Sequence, residues 1–277
     1  MEPWLLDILA CPRCPAQPLV IRQVARQRGP TLIEGTLTCQ HCGVDYPVTQ
    51  GIPDLVPAES RAELDKQRQI RQFDRRARLY DFLMYTFFVP LVWGGPSRGY
   101  LTHFLSSESG LGAESLALDL ACGPGSFTHV LARRARQGHV VGLDISWEML
   151  LRGAGRARRE RLTNVAWVRG DAERLPFQTA VFTAGICNNG LHQIPHRDRA
   201  LAGLHRALQP GAGFAGCTIV RGRGNPLRRL RVIWEQCLHP EFHPPRPGEL
   251  ECQFREAGFA DWRSQSRGAI LLFAARA

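Results

Sequence analysis

Leu116-Ala-Leu-Asp-Leu-Ala121 runs straight into Cys122-Gly-Pro-Gly-Ser-Phe127, and the reading of this stretch decides the fold. Its first half is a short apolar run broken by one carboxylate, the pattern of a buried strand. Its second half carries Gly123 and Gly125, which let a backbone approach a ligand closely at the start of a helix. A dinucleotide fingerprint asks for Gly-x-Gly-x-x-Gly, but counting from Gly123 the last position is Thr128. Asp119, just ahead of the loop, would repel a pyrophosphate. It suits a ligand that carries an ammonium group and no phosphate.

Moving outward, HVVGLDI (139–145) reads as a second strand and VAWVRG (165–170) as a third. Each ends beside an acid. Asp144 stands 19 residues after Gly125, where a carboxylate can accept both ribose hydroxyl hydrogens. Asp171 follows the third strand, within reach of an adenine amino group. A lone Asp at a strand end is commonly a helix cap, but three at three successive strand ends form a pattern. S-adenosylmethionine (SAM), with its amino acid, sulfonium, ribose and adenine, matches that set of partners.

Farther out, the pattern predicts strands over 184–189 and 213–220 and helices over 126–137, 147–160 and 196–208. This alternation predicts a doubly wound α/β domain, a mostly parallel sheet with helices on both faces. The end departs from it. GFADWRSQ (258–265) and AILLFAARA (269–277) are separated only by a turn, which predicts an antiparallel pair.

The N-terminal segment is of another kind. Cys11-Pro-Arg-Cys14 and Cys39-Gln-His-Cys42 have the form C-x2-C-x24-C-x2-C. Each pair presents two thiolates from one turn, and two turns complete a tetrahedral zinc site. With all four positions filled by Cys11, Cys14, Cys39 and Cys42, the zinc is structural and His41 is left over. A redox CxxC would be single and in a βα context. Residues 1–57 read as short strands and turns around this ion, closed by Pro53 and Pro57.

The chain has 277 residues, 44% hydrophobic and 22% charged, which excludes a mostly disordered chain. Its formal net charge is +10, and Lys66 is the sole lysine, so the excess is arginine. Residues 1–58 carry a net −1 and residues 116–220 a net +6, so the positive field belongs to the second half. Nucleic acid, an anionic membrane surface and an acidic substrate are all partners such a field attracts, and solvated helix faces give the same count. Met-Glu-Pro-Trp is no signal-peptide start, and no apolar run reaches the roughly 18–20 residues needed to span a bilayer. These features predict a reducing, cytoplasmic setting.

Two resemblances follow from these residues. LLDILACPRCPAQPL, LTCQHCGVDYPVTQGIPDLVP and their spacing resemble the small zinc-ribbon proteins that act as activator subunits of methyltransferases. LDLACGPGSF, GLDIS, GDAERLPF and ALQPGAGF stand in the order of class I SAM-dependent methyltransferases, which residues 70–277 resemble. That resemblance implies a Rossmann-like, seven-stranded sheet with an antiparallel last strand. It implies that Asp119, Gly123 and Gly125 hold the methionine end and Asp144 the ribose. Asp171 and Ala172 would hold the adenine, with Ile145 and Met149 packed on its face. Ala121, where the family often has Gly, and Asn188, at the end of the fourth strand, complete the cofactor set.

The acceptor side is read at Cys187-Asn-Asn-Gly-Leu-His-Gln-Ile-Pro195. Asn189 is followed by Gly190 and not Pro, which disfavours the Asn/Asp-Pro-Pro-aromatic type of amino methylation. The stretch resembles that of small-molecule methyltransferases of the quinone, sterol and polyketide kinds. His192 is the candidate general base for a hydroxyl or an acidic carbon, and a residue that caps or packs at a helix start is the other reading. Both stay open here. FDRRARLYDFLMYTFFVPLVWGG (73–95) resembles the lid of quinone-type enzymes and reads equally as a core helix. A second segment, 221–249, bears Arg221, Arg223, Arg228, Arg229 and Arg231.

The sequence thus predicts a zinc ribbon over 1–57, a helical linker and lid over 58–98, and a methyltransferase domain over 99–277. The expected reaction is SAM-dependent O- or C-methylation of a small lipophilic or aromatic acceptor. The rivals are a ribosomal or transfer RNA base methyltransferase and a non-catalytic SAM-binding scaffold. Peripheral membrane contact goes with a lipophilic acceptor. Nothing in the sequence indicates an oligomeric state.

Overall fold

A computed structural model describes residues 1–62, 94–221, 226–227, 232 and 242–277. Nearly all of the expected lid over 73–95, and Arg223, Arg228, Arg229 and Arg231, lie outside the described residues.

The N-terminal part opens with helix α1 (Pro3–Ile8) and continues as a five-stranded antiparallel sheet. Its strands are β1 (Ala10–Cys11), β2 (Cys14–Arg28), β3 (Thr31–Cys39), β4 (Asp45–Thr49) and β5 (Ile52–Pro53), in spatial order β1-β2-β3-β4-β5. The expectation of short strands fails at β2, which is 15 residues long. It pairs with β3 from Leu19↔Cys39 to Arg28↔Thr31. Residues 21–30 are exposed, so no alternation of apolar and polar side chains marks this outer half as a strand.

After α2 (Ala58–Ala62) and α3 (Arg98–Glu108), the chain alternates as the sequence predicts. The elements are β6 (Leu116–Leu120), α4 (Thr128–Arg134), β7 (His139–Asp144), α5 (Trp147–Arg159), β8 (Val165–Arg169) and β9 (Phe182–Asn188). Next come α6 (Arg197–Ala207), β10 (Leu208–Ile219), α7 (Pro247–Glu256), β11 (Ala260–Arg267) and β12 (Ile270–Arg276). The seven strands stand in the order β11-β12-β10-β9-β6-β7-β8. Neighbours from β8 to β10 run parallel, and β12 runs antiparallel to both β10 and β11. This is the class I methyltransferase fold.

Local chemistry explains the elements. Ser146 caps α5 by accepting from the Met149 backbone N–H at 3.3 Å. Helix α4 is shorter than the sequence suggests. Asn164 Nδ2 donates to the carbonyls of Ala132 at 3.0 Å and Ala135 at 2.7 Å, so the chain leaves the helix there for β7. Sheet order reverses between β6 and β9, and ligands of open α/β sheets bind beyond the strand carboxyl ends at such a switch point.

The ribbon lies against β8, which would otherwise be an exposed sheet edge. Asp54 bridges to Arg169 in parallel fashion, and the Leu55 N–H donates to the Arg169 carbonyl at 2.8 Å. The Arg169 guanidinium donates to Asp54 Oδ2 at 2.9 Å and, through Nε, to the Ile145 carbonyl at 3.0 Å. At the other end Leu9 pairs with Phe177, and Trp4 stacks on His139 at 4.2 Å. Leu5, Leu9, Leu37 and Tyr46 of the ribbon share one buried cluster with Leu118, Val168 and Phe177 of the larger sheet.

Candidate active site and metal centre

The four ribbon thiols converge. The Sγ atoms of Cys11, Cys14, Cys39 and Cys42 all lie within 4.8 Å of one another. Zn–S bonds of about 2.3 Å set a tetrahedral S···S edge of about 3.8 Å. Cys11 and Cys42 are 3.7 Å apart, so the donor set fits a tetrahedral ion. Gly43 closes the second knuckle with φ 69°, and its N–H donates to the Cys39 carbonyl at 2.8 Å. Tyr46 adds a hydroxyl 3.2 Å from Cys11 Sγ. No open ligand position remains, which makes the site structural.

A cavity opens over the carboxyl ends of β8, β7, β6 and β9. Asp171, Asp144 and Asp119 line it in that order across the sheet. Asp144 is a fixed group. Its Oδ2 accepts from the Gly123 N–H at 2.7 Å and its Oδ1 from the Ser146 N–H at 2.9 Å. Asp119 is 1% exposed, and its Oδ2 accepts from Thr128 Oγ1 at 2.6 Å. Burial, and next the Asp144 carboxylate, lift its pKa to about 7, against the hydrogen bond from Thr128. A cationic ligand would draw it back to the ionised form.

Most of the predicted cofactor residues meet here. Gly123, Ile145, Met149, Ala172 and Asn188 line the cavity with the three acids, and so does Ala121. Gly123 has φ 54°, and a Cβ there would meet nothing within 4 Å, so its backbone faces open space. Ala121 has φ 55°, a left-handed conformation that an L side chain adopts under strain. Among the described residues, the lining holds Asp119, Asp144, Asp171 and Glu173 and no Arg or Lys. That chemistry fits SAM, with its ammonium, sulfonium and ribose diol, and disfavours a pyrophosphate.

Two predicted residues stand elsewhere. Gly125 does not line the cavity. It sits with φ 76° directly over the Trp167 indole, where a Cβ would fall 2.3 Å from Cη2. Glycine is required there by the ring beneath the loop. His192 does not line the cavity either. It is 2% exposed, its Nδ1 lies 3.1 Å from Thr218 Oγ1, and its ring meets the Phe242 ring edge-on at 5.1 Å. Burial, and then Arg197, push its pKa down to about 3. This is the geometry of the packing reading.

The stretch read as the acceptor side, 187–195, does reach the cavity: Asn188, Asn189, Gly190, Gln193, Ile194 and Pro195 all line it. Sequence reasoning gave no role to Ser126 and Phe127, which line it from the end of the glycine loop.

Comparison with known proteins agrees with this geometry. Residues 117–211 match the model of a methyltransferase domain, and residues 2–51 match that of Trm112p-like proteins. A 2-phytyl-1,4-naphtoquinone methyltransferase of Thermosynechococcus vestitus is 35% identical over 146 residues, covering 52% of this chain and 60% of the relative. An uncharacterized chloroplastic methyltransferase of Arabidopsis thaliana is 23% identical over 98% of this chain and 78% of the relative. The chain spans about half the length of the quinone-type relatives it matches. Among solved structures, the cyclase SpnF has a TM-score of 0.62 at 19% identity, covering 76% of this chain and 95% of that one. That neighbour is a [4+2]-cyclase, so the likeness carries fold and not reaction.

Proposed function

We propose that this chain, which joins a Trm112p-like zinc ribbon to a class I methyltransferase domain, transfers the methyl group of SAM to a small quinone-like acceptor. The acceptor is lipophilic or aromatic and is methylated at carbon or oxygen. The observation that carries the reading is the convergence of Asp119, Asp144 and Asp171 on one cavity beside the Gly123 loop. The names of the quinone-type relatives support the acceptor class.

SAM, when bound, supplies a methyl group already activated on sulfur. What remains for the protein is alignment and exclusion of water. In this reading Asp119 accepts from the ligand's ammonium group, Asp144 from the ribose hydroxyls and Asp171 from the adenine amino group. Ile145 and Met149 pack on the adenine. Phe127, Ile194 and Pro195 keep the acceptor end dry and apolar. We assign His192 to packing behind the wall, where its bond to Thr218 fixes it. The free thiols at Cys122, Cys187 and Cys217 go with a reducing compartment such as the cytoplasm. Among the described residues no helix is long and apolar enough to cross a membrane.

Calorimetry on the zinc-loaded full chain tests the cofactor. S-adenosylhomocysteine (SAH) should bind, and Asp144→Ala should weaken it about tenfold to a hundredfold, the worth of hydrogen bonds to a charged group. Unchanged binding in Asp144→Ala sinks the assignment. For the acceptor, methyl-labelled SAM is incubated with a cell extract that is then split into lipid and RNA fractions. Label in the lipid fraction supports the proposal. Label in RNA overturns the acceptor class, and SAH binding without any methyl transfer favours a scaffold.

A further inference from the structure

The four-thiolate zinc centre leaves one polar group beside it unexplained. Tyr46 is 3% exposed, and Cys11 Sγ, at 3.2 Å, is the only hydrogen-bond partner of its hydroxyl among the described residues. A buried phenol needs such a partner, and here the partner is a metal ligand. Zinc is bound by the thiolate, which has no proton to give, so the hydroxyl is the donor. The strand register brings it there. Tyr46 on β4 stands opposite Leu37 on β3, and β3 ends at Cys39 in the second knuckle. From that strand the ring reaches back to Cys11 of the first knuckle.

The thiols differ in what surrounds them. Cys42 is exposed and Cys14 half-buried, whereas Cys11 and Cys39 are wholly buried. Four thiolates outweigh a divalent ion, so the centre is an anion. Water shares that charge at Cys42 but is excluded from Cys11, where a buried charge is costly unless it is hydrogen-bonded. Backbone N–H groups of Arg13 and Cys14 serve Cys11 from within its own turn. The Tyr46 hydroxyl is a donor from outside both knuckles, on a side chain that can be altered without changing either turn.

We infer that Tyr46 is a positioning residue of the zinc centre, its hydroxyl donating to the Cys11 thiolate and holding it on the ion. The bond draws charge off the sulfur, which makes the thiolate harder to protonate and to displace. It also ties the two knuckles to each other through one side chain. This rests on the four-cysteine zinc reading above and adds a fifth residue to it.

Tyr46→Phe is the informative variant, because it keeps the buried ring and removes only the donor. The test uses the full chain, loaded with zinc or with cobalt(II) in its place. In competition with pyridylazoresorcinol, Tyr46→Phe should hold zinc about tenfold more weakly than the wild type, the low end for an outer-shell partner. In the cobalt form, the thiolate-to-metal charge-transfer band should move to longer wavelength, because the sulfur has lost its donor. The ligand-field bands should stay where they are, since the tetrahedron is unchanged. Val48→Ala thins the same buried strand without removing a donor and should leave the charge-transfer band in place. Equal zinc retention by Tyr46→Phe and the wild type, an unmoved charge-transfer band, or an equal shift in Val48→Ala overturns the inference. So does a change in the ligand-field bands, which would mark a packing role. If Tyr46→Phe takes up no metal, the wild type decides. Loaded with an NMR-active cadmium isotope, it should show a tyrosine hydroxyl proton coupled to the metal, and absence of that coupling overturns the inference. Failure of the wild type to hold metal through four thiolates is a separate outcome and refutes the zinc centre itself.

Discussion

Asp119 is wholly buried, and burial lifts its carboxyl pKa from 3.8 to about 7. A raised acid contributes stability that is fully present below pH 3.8 and is lost as pH rises through about 7. Ionised Asp119 therefore costs the ligand-free fold roughly 4 kcal/mol at pH 8. Asp119→Asn removes that cost, since an amide can still accept from Thr128. Thermal unfolding should show Asp119→Asn well above the wild type at pH 8, by a smaller margin at pH 5, and close to it only below about pH 3.8. If Asp119 holds the ligand's ammonium group as proposed, the same variant should lose SAH binding. An equal change in melting temperature at both pH values would mean that the carboxyl does not titrate in this range. At this scale the sequence was partly legible. Three acids at strand ends announce themselves by position, because the pattern is local. The burial of His192 does not, because Thr218 and Phe242 are brought to it from distant parts of the chain.

The glycine loop shows the same division among elements. Gly-x-Gly before a helix is readable, and it marks the ligand end of β6. The reason for Gly125 is not, because Trp167 belongs to β8 and reaches under the loop from two strands away. One indole explains three glycines, since a Cβ at Gly125, Gly142 or Gly153 would come within 3 Å of it. Gly125→Ala adds both a left-handed alanine and a clash, together about 3 kcal/mol. Urea unfolding of the single and double variants checks the origin. The penalty of Gly125→Ala should shrink by more than 1 kcal/mol, roughly, when Trp167→Leu is already present, as contacting residues couple. An additive pair would place the cost in the backbone alone. The strand and helix pattern from β6 to β12 was readable for the same reason as the acids. Each buried strand is a short apolar run, and each cap or turn is a local signal. The outer half of β2 escaped notice because neither of its faces is buried.

Over the whole molecule, the two cysteine pairs foretell a ribbon but not where it sits. Its seat on β8 joins residues more than a hundred positions apart, such as Asp54 and Arg169. The consequence is a single buried cluster running from Leu5 and Leu37 into Phe177 and Val168. Two parts that share a core unfold together. The zinc supplies folding energy to the ribbon, and the ribbon covers the β8 edge, so removing the metal should weaken both. Chelation is expected to lower the melting temperature of the full chain as one transition, with both sheets lost together by circular dichroism and intrinsic tryptophan fluorescence. Asp54→Asn tests the joint without touching the metal. The side chains of Arg169 and Asp54 are 16% and 12% exposed, and breaking such a pair leaves a buried charge, at a cost of about 3 kcal/mol. That loss should appear in the same single transition and leave the zinc content at one ion per chain. Two separate transitions after Asp54→Asn, with the second at the wild-type temperature, would show that the ribbon is only tethered to the methyltransferase domain and that the shared core contributes nothing to its stability.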